Sequence, residues 1–255
     1  MVHGPSQRVV VDRGAAGESV RRDGTIGILT GPYGGVCDEL QAWVDSILYR
    51  HDDYRVAIKR MKGHQIAAQR NRVVEQMFGE WVLFVDADTV PPLDALDTLL
   101  AYDLPIIGGV VTERVPPFNL CATKALEPFA RYTREDLRAH LGPVNDDGLA
   151  QPVPVVACGT GCLLVRRKVF DQMTYPWFRC GQLDPEYLTE DTEFCLRASE
   201  DGYQTWLAPG VRPRHVSRAL VGVGGDGELW VEWSGPAPHQ QLLSEVRWTS
   251  IPDGV

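Results

Sequence analysis

The sequence predicts an α/β fold: a predominantly parallel central sheet flanked by helices, Rossmann-like in plan. Three observations predict it. Trp81-Val82-Leu83-Phe84-Val85 is an unbroken apolar run, the pattern of a strand covered on both faces, as in parallel sheets. Further apolar runs, Thr25 to Thr30 and Ile106 to Val111, alternate with segments of helical period, which is the order of βαβ units. Finally, the first run opens directly onto Asp86-Ala87-Asp88. Two carboxylates therefore emerge at the C-terminal end of a strand, where open α/β sheets hold ligands.

Composition bounds the reading. The 255 residues are enough for one large domain, and 44% hydrophobic with 23% charged content is that of an ordinary globular protein. A net charge of −9 argues against a nucleic-acid binder on bulk charge alone. No stretch approaches the ~18–20 apolar residues of a membrane span, and Met1 to Ser6 lack the apolar core of a signal peptide. A cytoplasmic location is expected. The six cysteines, Cys37, Cys121, Cys158, Cys162, Cys180 and Cys195, form no C-x-x-C, so they read as small, mostly core residues rather than a structural zinc site.

Along the chain, residues 1–23 read as a loose arm, residues 24–218 as the catalytic domain and 219–255 as a separate C-terminal segment. After the first strand, Gly31-Pro32-Tyr33-Gly34-Gly35 forms either a tight turn or a loop that lets backbone approach a nucleotide. Residues 38–50 suit a helix and 54–58 a second strand. Gln65 to Phe78 is helical in period, with Ile66, Val73 and Met77 and their neighbours Ala67, Val74 and Phe78 forming the apolar stripe. Arg70 falls inside that stripe, so it needs an anionic partner: a core carboxylate, Asp86, or a phosphate. A helix follows over 93–101. Residues 114–150 are irregular and read as a surface insertion. Short strands at 152–156 and 162–165 bracket Gly159-Thr160-Gly161, with a helix at 166–173. In the C-terminal segment, glycines at 222, 224, 225 and 227 precede Leu229-Trp230-Val231-Glu232-Trp233, a pattern that suits a mobile active-site lid.

The carboxylates suggest the chemistry. In an extended chain, residues i and i+2 point the same way, so Asp86 and Asp88 together suit one hard cation. A third ligand is still needed, and the imidazole of His215 suits manganese. Thr189 is the natural N-cap of a helix that begins Glu190-Asp191-Thr192-Glu193. Asp191 shares a stripe with Phe194, Cys195 and Ala198, whereas Glu190 aligns with Glu193, Arg197 and Glu200 on a charged face. Asp191 is thus expected inward, as a general base or acceptor-hydroxyl partner.

Ala68-Gln69-Arg70-Asn71, Val85-Asp86-Ala87-Asp88, Cys158-Gly159-Thr160-Gly161-Cys162, Glu190-Asp191 and His215, in this order over roughly residues 25–218, resemble the GT-A glycosyltransferases, most closely the family-2-like enzymes of bacteria and phages. The resemblance implies a GT-A fold and transfer of a sugar from a nucleotide-diphosphate sugar, UDP-sugar favoured, to an acceptor glycan or small molecule. It implies donor contacts from Thr30, Gly31, Pro32, Arg60, Arg70, Asn71, Asp86, Ala87 and Gly109. Gly159, Thr160, Gly161 and Trp177 would line the sugar and acceptor pocket. Mn²⁺ or Mg²⁺ would be held by Asp86, Asp88 and His215, and Asp191 with Glu190 would be the catalytic acids. Lys59 and Arg60 stand where relatives carry the acid that reads the base, which leaves the base open. A His ligand is prominent among retaining families and an acid matching Asp191 among inverting ones, which leaves the stereochemical outcome open.

Other readings compete. Asp86-Ala87-Asp88-Thr89-Val90 also resembles the first motif of haloacid-dehalogenase-type phosphohydrolases, with Asp86 as nucleophile. An inactive sugar-nucleotide-binding module would keep the fold without the chemistry. A basic face built from Arg55, Lys59, Arg60, Lys62, Arg70, Arg72, Arg166, Arg167, Lys168, Arg212, Arg214 and Arg218 would suit a modified DNA acceptor.

Overall fold

The structure is a computed structural model that describes residues 23–30, 35–50, 56–63, 65–114, 118–140, 149–183, 186–216, 219–223, 229–233 and 247–250. The first part of the chain builds β1 (Gly24–Leu29), α1 (Asp38–Arg50), β2 (Val56–Met61), α2 (Ile66–Glu75), β3 (Trp81–Asp86), β4 (Thr89–Val90), α3 (Ala95–Ala101) and β5 (Ile106–Gly109). The insertion follows as β6 (Ala122–Leu126), β7 (Phe129–Arg131) and α4 (Arg134–His140). Then come β8 (Val153–Val155), β9 (Ala157–Cys158), β10 (Cys162–Arg166), α5 (Arg167–Gln172), β11 (Gly181–Leu183), β12 (Glu186–Leu188), α6 (Glu190–Glu200), β13 (Thr205–Ala208) and β14 (Arg214–Val216). The C-terminal segment adds β15 (Ala219–Val223), β16 (Leu229–Trp233) and β17 (Arg247–Ser250).

The central sheet has seven strands in the order β2-β1-β3-β10-β5-β13-β8. β1 runs parallel to β2 and β3, and β5 parallel to β13; β10 and β8 oppose their neighbours. The sheet is therefore mostly parallel, as expected, but an antiparallel strand is wedged at its centre. The uniform apolarity of 81–85 has the predicted cause. Trp81, Leu83 and Val85 pack into one cluster with Leu40, Trp43 and Ile47 of α1 and Leu96 and Leu99 of α3. Val82 and Phe84 face the opposite cluster with Val73 and Val74 of α2, Phe170 of α5 and Phe194 of α6. Each such side chain contributes roughly 1.5–3 kcal/mol on burial, so both faces of the sheet hold the helices.

Several expectations shift. α2 ends at Glu75, and both Ile66 and Phe78 at its margins are exposed, so the stripe is carried by buried Val73 and Val74 with half-buried Ala67 and Met77 against the same core. The 114–150 insertion contains regular structure: β6 pairs with β7 and β9. A second sheet, β17-β16-β15-β14-β4, starts from the two residues that follow the Asp86–Asp88 turn. The proposed C-terminal lid thus supplies strands to a sheet rooted at that turn, and β15, β16 and β17 pair in sequence.

Candidate active site

The turn after β3 is the centre of the site. β3 stops at Asp86 and the chain turns through Ala87 and Asp88 before β4. Main-chain bonds pin that turn from three sides: Ala87 N–H donates to Leu29 O at 3.1 Å, Cys37 N–H to Ala87 O at 3.2 Å, and Val216 N–H to Asp88 O at 2.7 Å. Because the chain turns here, the extended-strand argument for two co-directed carboxylates fails. Asp86 and Asp88 are instead held by different arginines.

Asp86 Oδ1 lies 3.3 Å from Arg70 Nη2, and the Arg70 Nε lies 3.2 Å from Glu190 Oε1. Arg70 is only 1% exposed and sits over the ring of Phe84. The inward arginine expected from α2 is present, and it takes two carboxylates at once. Its third nitrogen, Nη1, is buried without a hydrogen-bond partner.

Glu190 departs from expectation. It is buried at 8% exposure, and Glu193 at 6%. Positions 190, 194 and 198 share a helix face, so Glu190 belongs with Phe194 and Ala198 rather than with solvent. Arginines make this burial tolerable: Arg70 for Glu190, and Arg179 at 2.7 Å with Arg197 at 3.7 Å for Glu193. Burial pushes the Glu190 carboxyl above its ordinary value, against the opposing pull of Arg70.

Asp191 lies at the edge of that face, half-buried. Thr189 sits in extended backbone as the N-cap, but its hydroxyl goes to Asp191 Oδ1 and not to the helix backbone. The Thr192 N–H donates to the same oxygen at 2.8 Å. The other oxygen, Oδ2, faces Gly159, 3.8 Å from where a Cβ on that glycine would stand.

Gly159-Thr160-Gly161 joins the two acids. A Cβ on Gly161 would lie 3.4 Å from Asp86 Oδ2 and 3.3 Å from Thr89 Oγ1. The Asp86 N–H donates to Gly161 O at 3.3 Å. One end of this short loop therefore abuts Asp86 and the other abuts Asp191. Thr160 is buried, with Oγ1 unpartnered.

Other residues expected at the donor and acceptor sites make contacts within the protein. Asn71 spends its whole carboxamide on Phe178: Nδ2 donates to the carbonyl at 2.8 Å and Oδ1 accepts from the N–H at 3.0 Å. Thr30 bonds through both N–H and hydroxyl to Met61 O. Arg60 is exposed and pairs with Gln41. Gly109 abuts Val211 and Pro213, which leave no room for a Cβ. The Trp177 indole N–H donates to Phe170 O, and its ring packs on Phe170 and Tyr175. Gly31 and Pro32 lie outside the described residues. Several guanidiniums of the supposed basic face are also spent internally. Arg167 donates to Gly79 O and Met77 O, Arg212 to Pro209 O, and Arg166 pairs with Asp103.

Among the described residues no three His, Cys, Asp or Glu side chains are gathered into a ready-made metal site. Of the expected trio, Asp88 gives its Oδ2 to Arg114 Nη1 at 2.5 Å. Arg114 carried no signal in sequence, standing in an irregular run beside Pro116-Pro117. The side chains nevertheless fit a hard divalent cation chemically. His215, 9% exposed, stands opposite Thr89 in the β4–β14 pair, one residue from Asp88, and its Nδ1 is buried without a partner, as is Thr89 Oγ1. Carboxylate oxygens plus a neutral imidazole nitrogen are manganese-type donors.

Comparison with known proteins places the family and the fold. The family model described as "Glycosyltransferase like family 2" matches residues 33–223. No curated protein sequence matches. Among solved structures, the fold is similar to that of A197 from STIV, at 15% identity and TM-score 0.52, over 85% of this chain and 97% of that one. It is also similar to GalNAc-T7, solved with UDP, GalNAc and Mn²⁺, at 11% identity and TM-score 0.53, over 79% of this chain and 45% of that one. At such identities the likeness is one of fold. Among the described residues no helix is long and apolar enough to cross a membrane. The family match sets aside the phosphohydrolase reading of Asp86, and the chain belongs to the Glycosyltransferase like family 2, as a glycosyltransferase of the GT-A fold.

Proposed function

We propose that this glycosyltransferase moves a sugar from a nucleotide-diphosphate sugar, a UDP-sugar in preference, to an acceptor hydroxyl, with Asp191 as the general base. One observation carries the reading: Asp191 Oδ2 and Asp86 Oδ2 flank opposite ends of Gly159-Thr160-Gly161. On this reading the sugar lies against the loop, between a base on one side and the diphosphate side of the site on the other. Asp191 Oδ1 is fixed by Thr189 and Thr192, so Oδ2 is the oxygen left to accept the acceptor's proton. Such a base contributes typically ~10²–10⁴-fold to the rate.

Asp86, Asp88 and His215 would hold Mn²⁺ or Mg²⁺, a cation that is present with UDP in the GalNAc-T7 structure. When bound, it would offset the charge of the departing nucleoside diphosphate. Arg70, held by Asp86 and Glu190, keeps the donor-side carboxylate in place and leaves Nη1 without a protein partner.

A thermal-shift panel of nucleotide sugars with and without Mn²⁺ tests the donor assignment, since a ligand at 100 times its Kd stabilises by about 2.7 kcal/mol. UDP-sugars should shift the melting temperature only with Mn²⁺. Asp191→Asn should keep that shift and lose at least ~10²-fold in turnover. Wild-type turnover in that variant removes Asp191 from the mechanism.

A further inference from the structure

We propose that Arg114 is an exchangeable counter-ion: it neutralises Asp88 while the site is empty, and transfers to the donor's diphosphate when the nucleotide enters with its cation. The inference rests on the reading of Asp88 as a cation ligand.

The two arginines of the site differ in kind. Arg70 is fixed, with its side chain 2% exposed and tied to two carboxylates. The Arg114 side chain is 61% exposed and that of Asp88 29%. An ion pair this open is worth only about 0.2–1 kcal/mol, so a divalent cation can displace it. The base from which Arg114 reaches is anchored all the same. Thr112 pairs with Leu120, the Glu113 N–H donates to Asn119 O at 2.8 Å, and the Glu113 carboxylate takes Asn119 and Arg131. The backbone beside Arg114 is held, while its side chain pairs only with Asp88 among the described residues.

Charge supplies the direction of transfer. Asp86 and Glu190 share the guanidinium of Arg70, and Asp88 takes that of Arg114. With Asp88 taken up by a cation, the Arg114 guanidinium would be released to meet the nucleotide's diphosphate. A guanidinium matches phosphate oxygens bidentately. The leaving nucleoside diphosphate carries more negative charge than the bound donor, so Arg114 would favour the departing group over the ground state.

Calorimetry on the full chain tests this with two probes, Mn²⁺ alone and UDP in saturating Mn²⁺. Arg114→Ala should bind Mn²⁺ alone about two- to five-fold more tightly, because the competitor is gone. The same variant should bind UDP roughly ten-fold more weakly, with Arg114→Lys in between. Unchanged affinity for both probes overturns the proposal, and so does weaker binding of both, which would mark Arg114 as a support of the turn. Asp88→Ala separates the two levels. If it keeps wild-type Mn²⁺ affinity, the metal assignment fails; if it loses Mn²⁺ while Arg114→Ala changes nothing, only the exchange fails.

Discussion

Arg70 and Glu190, 120 positions apart in the chain, meet in the interior with Nε 3.2 Å from Oε1. The same guanidinium reaches Asp86. The helix that carries the proposed base is thereby tied to the turn that carries Asp86 and Asp88. Breaking a buried pair from one side leaves an uncompensated charge, which costs roughly 3–5 kcal/mol.

A double-mutant cycle checks this tie. Arg70→Leu and Glu190→Leu should each lower the urea-unfolding free energy by about 3 kcal/mol, and the double variant should lose less than their sum by roughly 0.5–3 kcal/mol. Additive losses would mean that the two side chains act independently.

Glu190 also predicts a pH dependence. Burial raises its carboxyl above the ordinary 4.5, so the folded state holds that proton more tightly than the unfolded state does. The stability this contributes is fully present below the unfolded value and is lost as pH rises through the raised one. Wild type minus Glu190→Gln should therefore fall as pH climbs from about 4 towards neutrality. Parallel stability curves for the two proteins would contradict the burial argument.

Asn71 separates structural from donor roles. Its carboxamide clamps the Phe178 backbone, so Asn71→Ala should cost about 1–3 kcal/mol of stability while leaving UDP affinity in Mn²⁺ unchanged. A large loss of UDP affinity at unchanged stability would return Asn71 to the donor site.

Much of this was legible in sequence, for physical reasons. The strand at 81–85 announced itself because both of its faces are covered, and Arg70 because a charge inside an apolar stripe demands a partner. The stripe of α6 singles out Asp191, yet periodicity alone leaves Glu190 outside it. Helix periodicity locates a face but not its width, and only the arginines arriving from distant segments permit an acid inside it. Arg114 was silent because nothing local determines where an exposed side chain in an irregular run will reach. The antiparallel course of β10 was equally hidden, since a strand covered on both faces reads the same in either direction.

The β3–β10 pairing has a consequence of its own. Cys162 stands opposite Val85 and Leu163 opposite Phe84, and the next step brings Gly161 beside Asp86. A slip of one residue would turn Leu163 and Val165 out of one core and Leu164 into the wrong one. Leucines and valines of the interior therefore set the spacing between the Gly159–Gly161 loop and the Asp86 turn. Precision at the candidate site is inherited from hydrophobic sorting in the interior, and a chain that folds at all folds with that loop already aligned.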